Sequence, residues 1–574
     1  MKHAVLLSLI GLLPLSTLAT PADDQFETTA KAYIEQTLQH NPEWATALGD
    51  HRFDGKLTDY SPDAFAKERA TAQDFKAKLA KIDHAKLTGP NKVDAQILRD
   101  AIDYELFQLN ELKEWESNPL VYNESLANSL YLLVARDFGP AKDRIENLRS
   151  RMKAIPAVIV QAKANLKHPP EIDTQVAIDQ TQGAISLVKK GLAPLLDQDA
   201  EAKKDLAPLQ EKTAAALADY KTWLQKDLLP RSTGNFRLGK EKFRKKLHFA
   251  LASDMPMEEV MSRAETDLKA TQATIYETAL PLYKNFFPNA DPKTFDDKHK
   301  VTAAVLDKLA ERHPDNDTIV DYSKKVVGEA TAFVRKKDFV TVPDEPLDVI
   351  VMPEFKRGAG IAYCDSPGPL EKNGKTFFAI EPTPSDWSQE RKDSFYREYN
   401  NYMVHDLVVH EAMPGHYLQL QHSNLFKAPT LVRAMYQSGS MIEGWAVYME
   451  QKMAEEGFGG PEVKMEQLKM RLRVIVNAII DQKTHAGNMT EKEAIDLMEK
   501  EGFQQEGEAV AKWKRARISS AQLSTYFVGV SEWLDLRTRA QAKEGKAFDA
   551  KKFNDEALSF GSPPVKYIRQ LMGL

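Results

Sequence analysis

Val408-Val409-His410-Glu411-Ala412-Met413-Pro414-Gly415-His416 places two imidazoles and a carboxylate within the seven residues 410–416. Zinc hydrolases need two histidines on one side of a helix with a glutamate beside the first. The usual spacing is H-E-x-x-H, because residues four apart share a helical face. Here the second histidine comes six positions after the first. On a regular helix that is about 240° round, pointing away. Pro414 cannot continue the hydrogen-bond ladder, and Gly415 reaches conformations closed to other residues. The pair predicts an outward bulge that returns His416 to the face of His410, and helical bulges of this sort are frequent at functional sites.

A catalytic zinc takes three protein ligands and leaves a fourth position for water. The best third ligand is Glu443, in Ser440-Met441-Ile442-Glu443-Gly444-Trp445-Ala446, with Gly444 allowing close backbone approach. Glu450 lies two turns further along the same face and is placed to orient a ligand histidine. His405 and His422 share no face with the pair as well and read as surface or outer residues. One Zn2+ per chain is expected, held by His410, His416 and Glu443.

The chain around this segment is helical. Between Asp24 and Thr341, apolar residues recur at three- and four-residue steps, as in Phe26 to Leu38, Lys92 to Leu112, Ala141 to Leu166, Thr174 to Leu192 and Ala207 to Leu228. Gly89-Pro90, Asn118-Pro119 and Gly139-Pro140 mark joins. The texture changes from Leu347 to Pro382, where Leu347 to Met352 and Thr376 to Ile380 read as strands and Gly368, Pro369, Asn373 and Gly374 as turns. Helices then resume: Glu390 through His410, Leu431 to Glu455, Glu462 to Thr484, Glu491 to Glu501 and Ala509 to Ala542. The fold class is mainly α with one small β-sheet before the metal-binding helix. Residues 23–340 form a helical scaffold or channel wall and 341–574 the zinc-binding region, as one integrated unit.

The first residues have the pattern of a secretory signal peptide: Lys2 and His3, the apolar run Ala4 to Leu18, and a small-residue site at Thr17-Leu18-Ala19 with Ala22 as second choice. A leader over 1–22 implies a periplasmic or secreted protein. No cysteine lies near the cleavage site, which argues against a lipid anchor. Cys364 is the single cysteine of the 574 residues, so no intramolecular disulfide forms, and a packed thiol fits it better than a nucleophile. A net charge of -6 over this length offers no field for nucleic acid or an anionic membrane. No G-x-S-x-G element is present, and Gly374-Lys375-Thr376 lacks the upstream glycine of a P-loop.

Beyond these readings, the chain resembles the bacterial proteins catalogued as domain of unknown function 885, themselves similar to zinc peptidases that use a glutamate as third ligand. The motifs that carry the resemblance are His410 to Gln419, Glu443-Gly444-Trp445-Ala446-Val447-Tyr448-Met449-Glu450, and Arg515 with Gln522 to Gly529. In the third motif the family pattern has Arg-Tyr and then Pro-Gly-Gln-Ala before the tyrosine. Ala516 here replaces the first tyrosine, and Ser520-Ala521 replace Pro-Gly, which leaves the geometry near Tyr526 open. By analogy with oligopeptidases, the resemblance implies a two-lobed arrangement of helices around a deep cleft.

The expected chemistry is metal-assisted amide hydrolysis of peptides, with Glu411 as general base and Tyr526, then Arg515, as candidates to stabilise the oxyanion. The strand Thr376 to Ile380 is a candidate substrate-pairing edge or a structural hairpin. A zinc amidase acting on non-peptide amides shares every residue named, and an inactive peptide- or partner-binding relative is the third reading.

Overall fold

Helices form where apolar three-to-four spacing follows a capping residue. The helix Pro21–His40 begins at Thr20, whose hydroxyl accepts from the Asp23 N–H while the Asp23 carboxylate accepts from the Thr20 N–H. Ser61, Asp199 and Asp297 cap Pro62–Ala80, Ala200–Trp223 and Lys298–Leu309. The computed structural model describes residues 19–352, 361–371, 374–384, 387–426 and 428–574. The apolar run Ala4 to Leu18, and Gly358, Asn373 and Ser385, lie outside them.

Among the described residues the fold is mainly α with one three-stranded sheet. Leu120–Ala135, Ala141–Asn165, Glu171–Ser186 and Ala200–Trp223 pack around Leu126, Leu148, Ile155, Ile178 and Leu217. Pro21–His40, Pro62–Ala80 and Gly89–Phe107 close around Phe26, Phe75 and Leu98, joined by Val432, Met435 and Tyr567 from far along the chain. The largest core takes Phe243, Val260 and Val326 from before residue 340 and Val408, Trp445 and Phe527 from after it. The scaffold and the region with the histidines are thus packed through shared apolar cores. No helix among the described residues is long and apolar enough to cross a membrane.

Three expected helices are each two. Glu390 through His410 is Gln389–Glu398 and Asn401–Glu411. Asn400 ends one and caps the other, accepting from the Tyr402 and Met403 N–H groups at 3.0 and 3.1 Å while donating to buried Glu466 at 2.8 Å. Leu431 to Glu455 is Val432–Met435 and Gly439–Glu455, restarted by the Ser438 cap, and Ala509 to Ala542 is Glu506–Ile518 and Ser524–Glu544. Apolar periodicity does not register breaks of only a few residues.

The strands are β1 (Leu347–Val351), β2 (Ala362–Asp365) and β3 (Thr376–Ile380), ordered β1-β3-β2, with β3 parallel to β1 and antiparallel to β2. β3 is therefore central, with Phe378, Ala379 and Ile380 buried, which corrects the reading of Thr376 to Ile380 as an edge. The end of β2 is tied to the N-terminal helices. Arg136 donates to the Asp365 carboxylate and, at 2.9 Å, to the Ser366 carbonyl. Beyond it the chain lies so close to Pro42–Leu48 that a Cβ on Gly368 would come 2.4 Å from the Ala47 oxygen.

Asp94 and Arg433 fasten the N-terminal helices to the second half at 2.5 Å, with Thr430 donating to the same carboxylate at 2.9 Å. Both side chains are buried, and arginine stays charged. Asp94→Ala is expected to strand that charge and to destabilise the protein by about 3–5 kcal/mol, read as a lower denaturation midpoint.

Candidate metal centre

Val404, Val408 and Val409 bury one side of Asn401–Glu411 and fix His410 and Glu411 at its last turn. The helix does not bulge, as the sequence suggests; it stops. Ala412 leaves helical geometry at φ -121°, ψ -88°, the Met413–Pro414 peptide is cis, and a new helix, His416–Asn424, begins at the second histidine. Gly415 makes the reversal fit, since a Cβ there would come 1.9 Å from the His410 carbonyl oxygen and 2.3 Å from that of Val409. The result matches the predicted placement of His416: its ring stands against that of His410 with centroids 4.6 Å apart at 83°. Trp445 ties the turn to the next helix by donating its indole N–H to the Pro414 carbonyl at 2.9 Å.

Glu443 lies on Gly439–Glu455, one residue before the point where this helix meets Ser524–Glu544. The two backbones cross in contact at Gly444 and Gly529: a Cβ on Gly444 would come 2.3 Å from the Gly529 carbonyl carbon. The Glu443 Oε2 atom stands 3.5 Å from His410 Nε2 and 3.4 Å from His416 Nε2, and the three ligand atoms lie within 4.8 Å of one another. Two ligands of a tetrahedral zinc at ordinary bond lengths are about 3.3–3.4 Å apart. Glu443 Oε2 is buried with no hydrogen-bond partner among the described residues, as a ligand oxygen should be. Donor types, spacing and orphaned oxygen all fit the ion.

The outer contacts also fit. His410 Nδ1 is 2.5 Å from Glu450 Oε1, and a proton shared there leaves the Nε2 lone pair for a metal. Burial pulls the His410 imidazole down, but its contacts with Glu443 and Glu450 outweigh that and hold it well above the ordinary range. Burial likewise pushes the Glu443 carboxyl up, and the two histidines reverse this to well below the ordinary range. Asp406, one turn before His410, is buried and pushed well up, by burial first and then by the Glu450 charge. Sequence reading missed it, although its spacing of four from His410 was a signal.

Glu411 is not among the three ligand residues. Its Oε2 accepts the Cys364 N–H at 2.9 Å, so the base candidate is held by the backbone of β2. The Cys364 thiol is pushed well up, by burial and then by the Glu411 charge, which suits a packed thiol and not a nucleophile. Tyr526 and Arg515 are brought together: Arg515 donates to the Tyr526 hydroxyl at 3.2 Å and to Gln522 Oε1 at 2.8 Å. Burial and then the Glu443 charge raise the Tyr526 phenol, against Arg515. His405 and His422 lie elsewhere, their ring nitrogens 2.8 Å from the Asn401 and Thr341 carbonyls respectively.

The departure from the family motif has a local solution. Ala521 takes φ 67°, a left-handed conformation that favours glycine. The Asp481 carboxylate holds the turn in place, accepting from the Ala521 and Ser524 N–H groups at 3.1 Å each.

These observations define a mainly helical protein with a buried His-His-Glu cluster at a helix break. The chain belongs to the DUF885 family, described as bacterial protein of unknown function, whose model matches residues 42–572. Among solved structures, a candidate lipoprotein of unknown function from Shewanella oneidensis is 33% identical with a TM-score of 0.80, over 96% of this chain and 100% of that one. A candidate lipoprotein from Colwellia psychrerythraea shares the fold at 17% identity and a TM-score of 0.78, over 96% and 99% of the two chains. No curated protein matches the chain.

Removing the carboxylate behind a ligand histidine typically costs a metal site 10- to 100-fold in affinity. Glu450→Ala is expected to weaken zinc binding by about that factor, measured by competition with a chromophoric chelator.

Proposed function

We propose that this protein is an exported zinc-dependent hydrolase, a peptidase of carboxypeptidase or oligopeptidase type. The observation that carries the reading is the spacing of His410 Nε2, His416 Nε2 and Glu443 Oε2 at 3.4–3.5 Å about the shared carboxylate oxygen, with Glu411 beside them and outside the set. A zinc ion held by those three atoms would polarise a scissile carbonyl and acidify water. Glu411 takes the proton of the attacking water and delivers it to the leaving amine. The Cys364 N–H fixes one carboxylate oxygen in orientation and leaves the other for this exchange. Tyr526 is placed by the Gly444–Gly529 crossing within the field of Glu443, where its hydroxyl donates to the developing oxyanion.

The edge of β2 left unpaired among the described residues, not β3, is the candidate for pairing with an extended substrate, because the Cys364 N–H already points from that edge to Glu411. The proposal includes a cleft between helices above the cluster, of the kind seen in zinc peptidases with a glutamate third ligand. Zinc-loaded Glu411→Gln is expected to keep about one metal per chain and lose peptide cleavage by on the order of 10²–10⁴-fold. His416→Ala is expected to lose the metal as well. Metal retained in Glu411→Gln with cleavage undiminished would remove the base assignment, and cleavage of non-peptide amides alone would favour the amidase.

Export rests on the N-terminal leader pattern. Of the two cleavage sites, the one after Ala19 leaves intact the Thr20–Asp23 capping box and the Thr20 hydroxyl bond to the Lys86 carbonyl at 2.9 Å. Cleavage after Ala22 would strip the cap from Pro21–His40. The mature chain is expected to begin at Thr20, as read by intact mass of protein taken from the periplasm or medium. A first residue at Asp23, or an unprocessed Met1, would contradict this.

A further inference from the structure

Arg515 has an environment that the hydrolytic machinery does not use. Its NH2 nitrogen donates to two neutral acceptors, Gln522 and Tyr526. No carboxylate among the described residues lies within ion-pair distance of it, although the cations nearby on the same wall are paired: Arg473 and Lys469 with Glu398 at 2.8 Å each, and Lys512 with Glu508 at 3.6 Å. Lys512, three residues before Arg515, is pulled down to about 8 by burial and, against the attraction of Glu508, by the charges of Arg473 and Arg515. Arg515 is only partly buried, and the rest of its guanidinium fork donates to no described residue. A planar fork of donors held by neutral groups and paired with no described carboxylate matches a carboxylate bidentately.

Its position says which carboxylate. Arg515 is hydrogen-bonded to the same Tyr526 hydroxyl that feels the Glu443 charge, so an anion on the fork lies beside the reacting centre. The turn that folds Arg515 back on Tyr526 is fixed from behind: Asp481 holds residues 521 and 524, and His485 Nε2 meets the Ala516 carbonyl at 2.8 Å. We propose that Arg515 binds a carboxylate of the substrate, the free C-terminus of a peptide, and thereby directs cleavage to bonds near the C-terminal end. This rests on the peptidase reading and names its substrate class.

The test uses the zinc-loaded mature chain and a hexapeptide library prepared as free acids and as C-terminal amides. The natural protein is expected to prefer acids by about 10- to 100-fold in kcat/KM, with cuts clustered at the C-terminal end. Arg515→Ala should lose that factor on acids, mostly through KM, and little on amides; Arg515→Lys should keep part of the preference and carries the test if the alanine variant fails to fold. Equal cleavage of acids and amides by the natural protein would overturn the proposal, as would an equal loss on both in the variants. Amides cut well only when they carry Asp or Glu near the end would move the carboxylate to a side chain and overturn the C-terminal assignment.

A binding measurement separates this from the peptidase reading. Zinc-loaded Glu411→Gln is titrated calorimetrically with blocked penta-alanine as acid and as amide, and tighter binding of the acid that disappears in Glu411→Gln/Arg515→Ala is expected. Indifference to the C-terminal group, or no binding of either form, overturns the anchor. Undiminished cleavage by Glu411→Gln instead overturns the base assignment and leaves an Arg515-dependent preference for acids standing.

Discussion

The helix carrying His410 and the helix beginning at His416 are joined by four residues that must reverse direction in almost no space. Gly415 lies against the carbonyl oxygens of Val409 and His410, where any Cβ would overlap them. A histidine at the end of one helix and another at the start of the next can then turn their rings to a common point. This differs from the usual arrangement, in which one continuous helix supplies both imidazoles four residues apart. A helix break fixes two rings equally well provided each helix is anchored. Here the anchors are the buried valines on one side and, through Trp445 and the Pro414 carbonyl, the helix that brings Glu443 on the other.

Burying two imidazoles and a carboxylate together is costly unless their polar atoms are satisfied or an ion is present. The protein handles this in layers. Behind His410 lies Glu450, and the charge of Glu450, after burial, pushes the Asp406 carboxyl well up. Further out, Glu398 is matched by Lys469 and Arg473. His416 Nδ1 and the second oxygens of Glu450 and Glu466 are buried without a hydrogen-bond partner among the described residues, as is Glu443 Oε2, and of these the Glu443 oxygen is the one that meets both Nε2 atoms. An unpartnered carboxylate oxygen at the point where two imidazole nitrogens converge is what a metal site requires of its surroundings.

The mainly α class and the convergence of His410, His416 and Glu443 were legible because they depend on local rules: apolar period, the backbone limits of Pro and Gly, and a seven-residue step from Glu443 to Glu450 that keeps both on one helical face. Other features depend on contacts no local pattern records. The break at Asn400 is set by its bond to Glu466, far along the chain. The central place of β3 follows from strand order, which three short runs cannot encode. The end of the helix at Glu411 was misread as a bulge because Pro and Gly restrict a chain without specifying which of two reversals it adopts. Ala521 shows another limit: alanine itself gives no sign of a left-handed residue, only the glycine of the family pattern does, and the Asp481 carboxylate from another helix holds it there.

The division of labour between the two halves of the chain follows from the bond between Glu411 and Cys364. The proposed role of Glu411 as general base needs orientation as well as nearness, and one of its oxygens is fixed by a backbone donor of β2. β2 is a four-residue strand paired, among the described residues, on one side only, too short to hold its own position. Its far end is gripped by Arg136 on Asp365, and the chain beyond is pressed onto Pro42–Leu48 at Gly368. The helical scaffold supplies none of His410, His416 and Glu443, yet it determines where β2 lies and hence how Glu411 is oriented. Loosening that seam therefore acts on the orientation of Glu411 while leaving His410, His416 and Glu443 held by helices of their own.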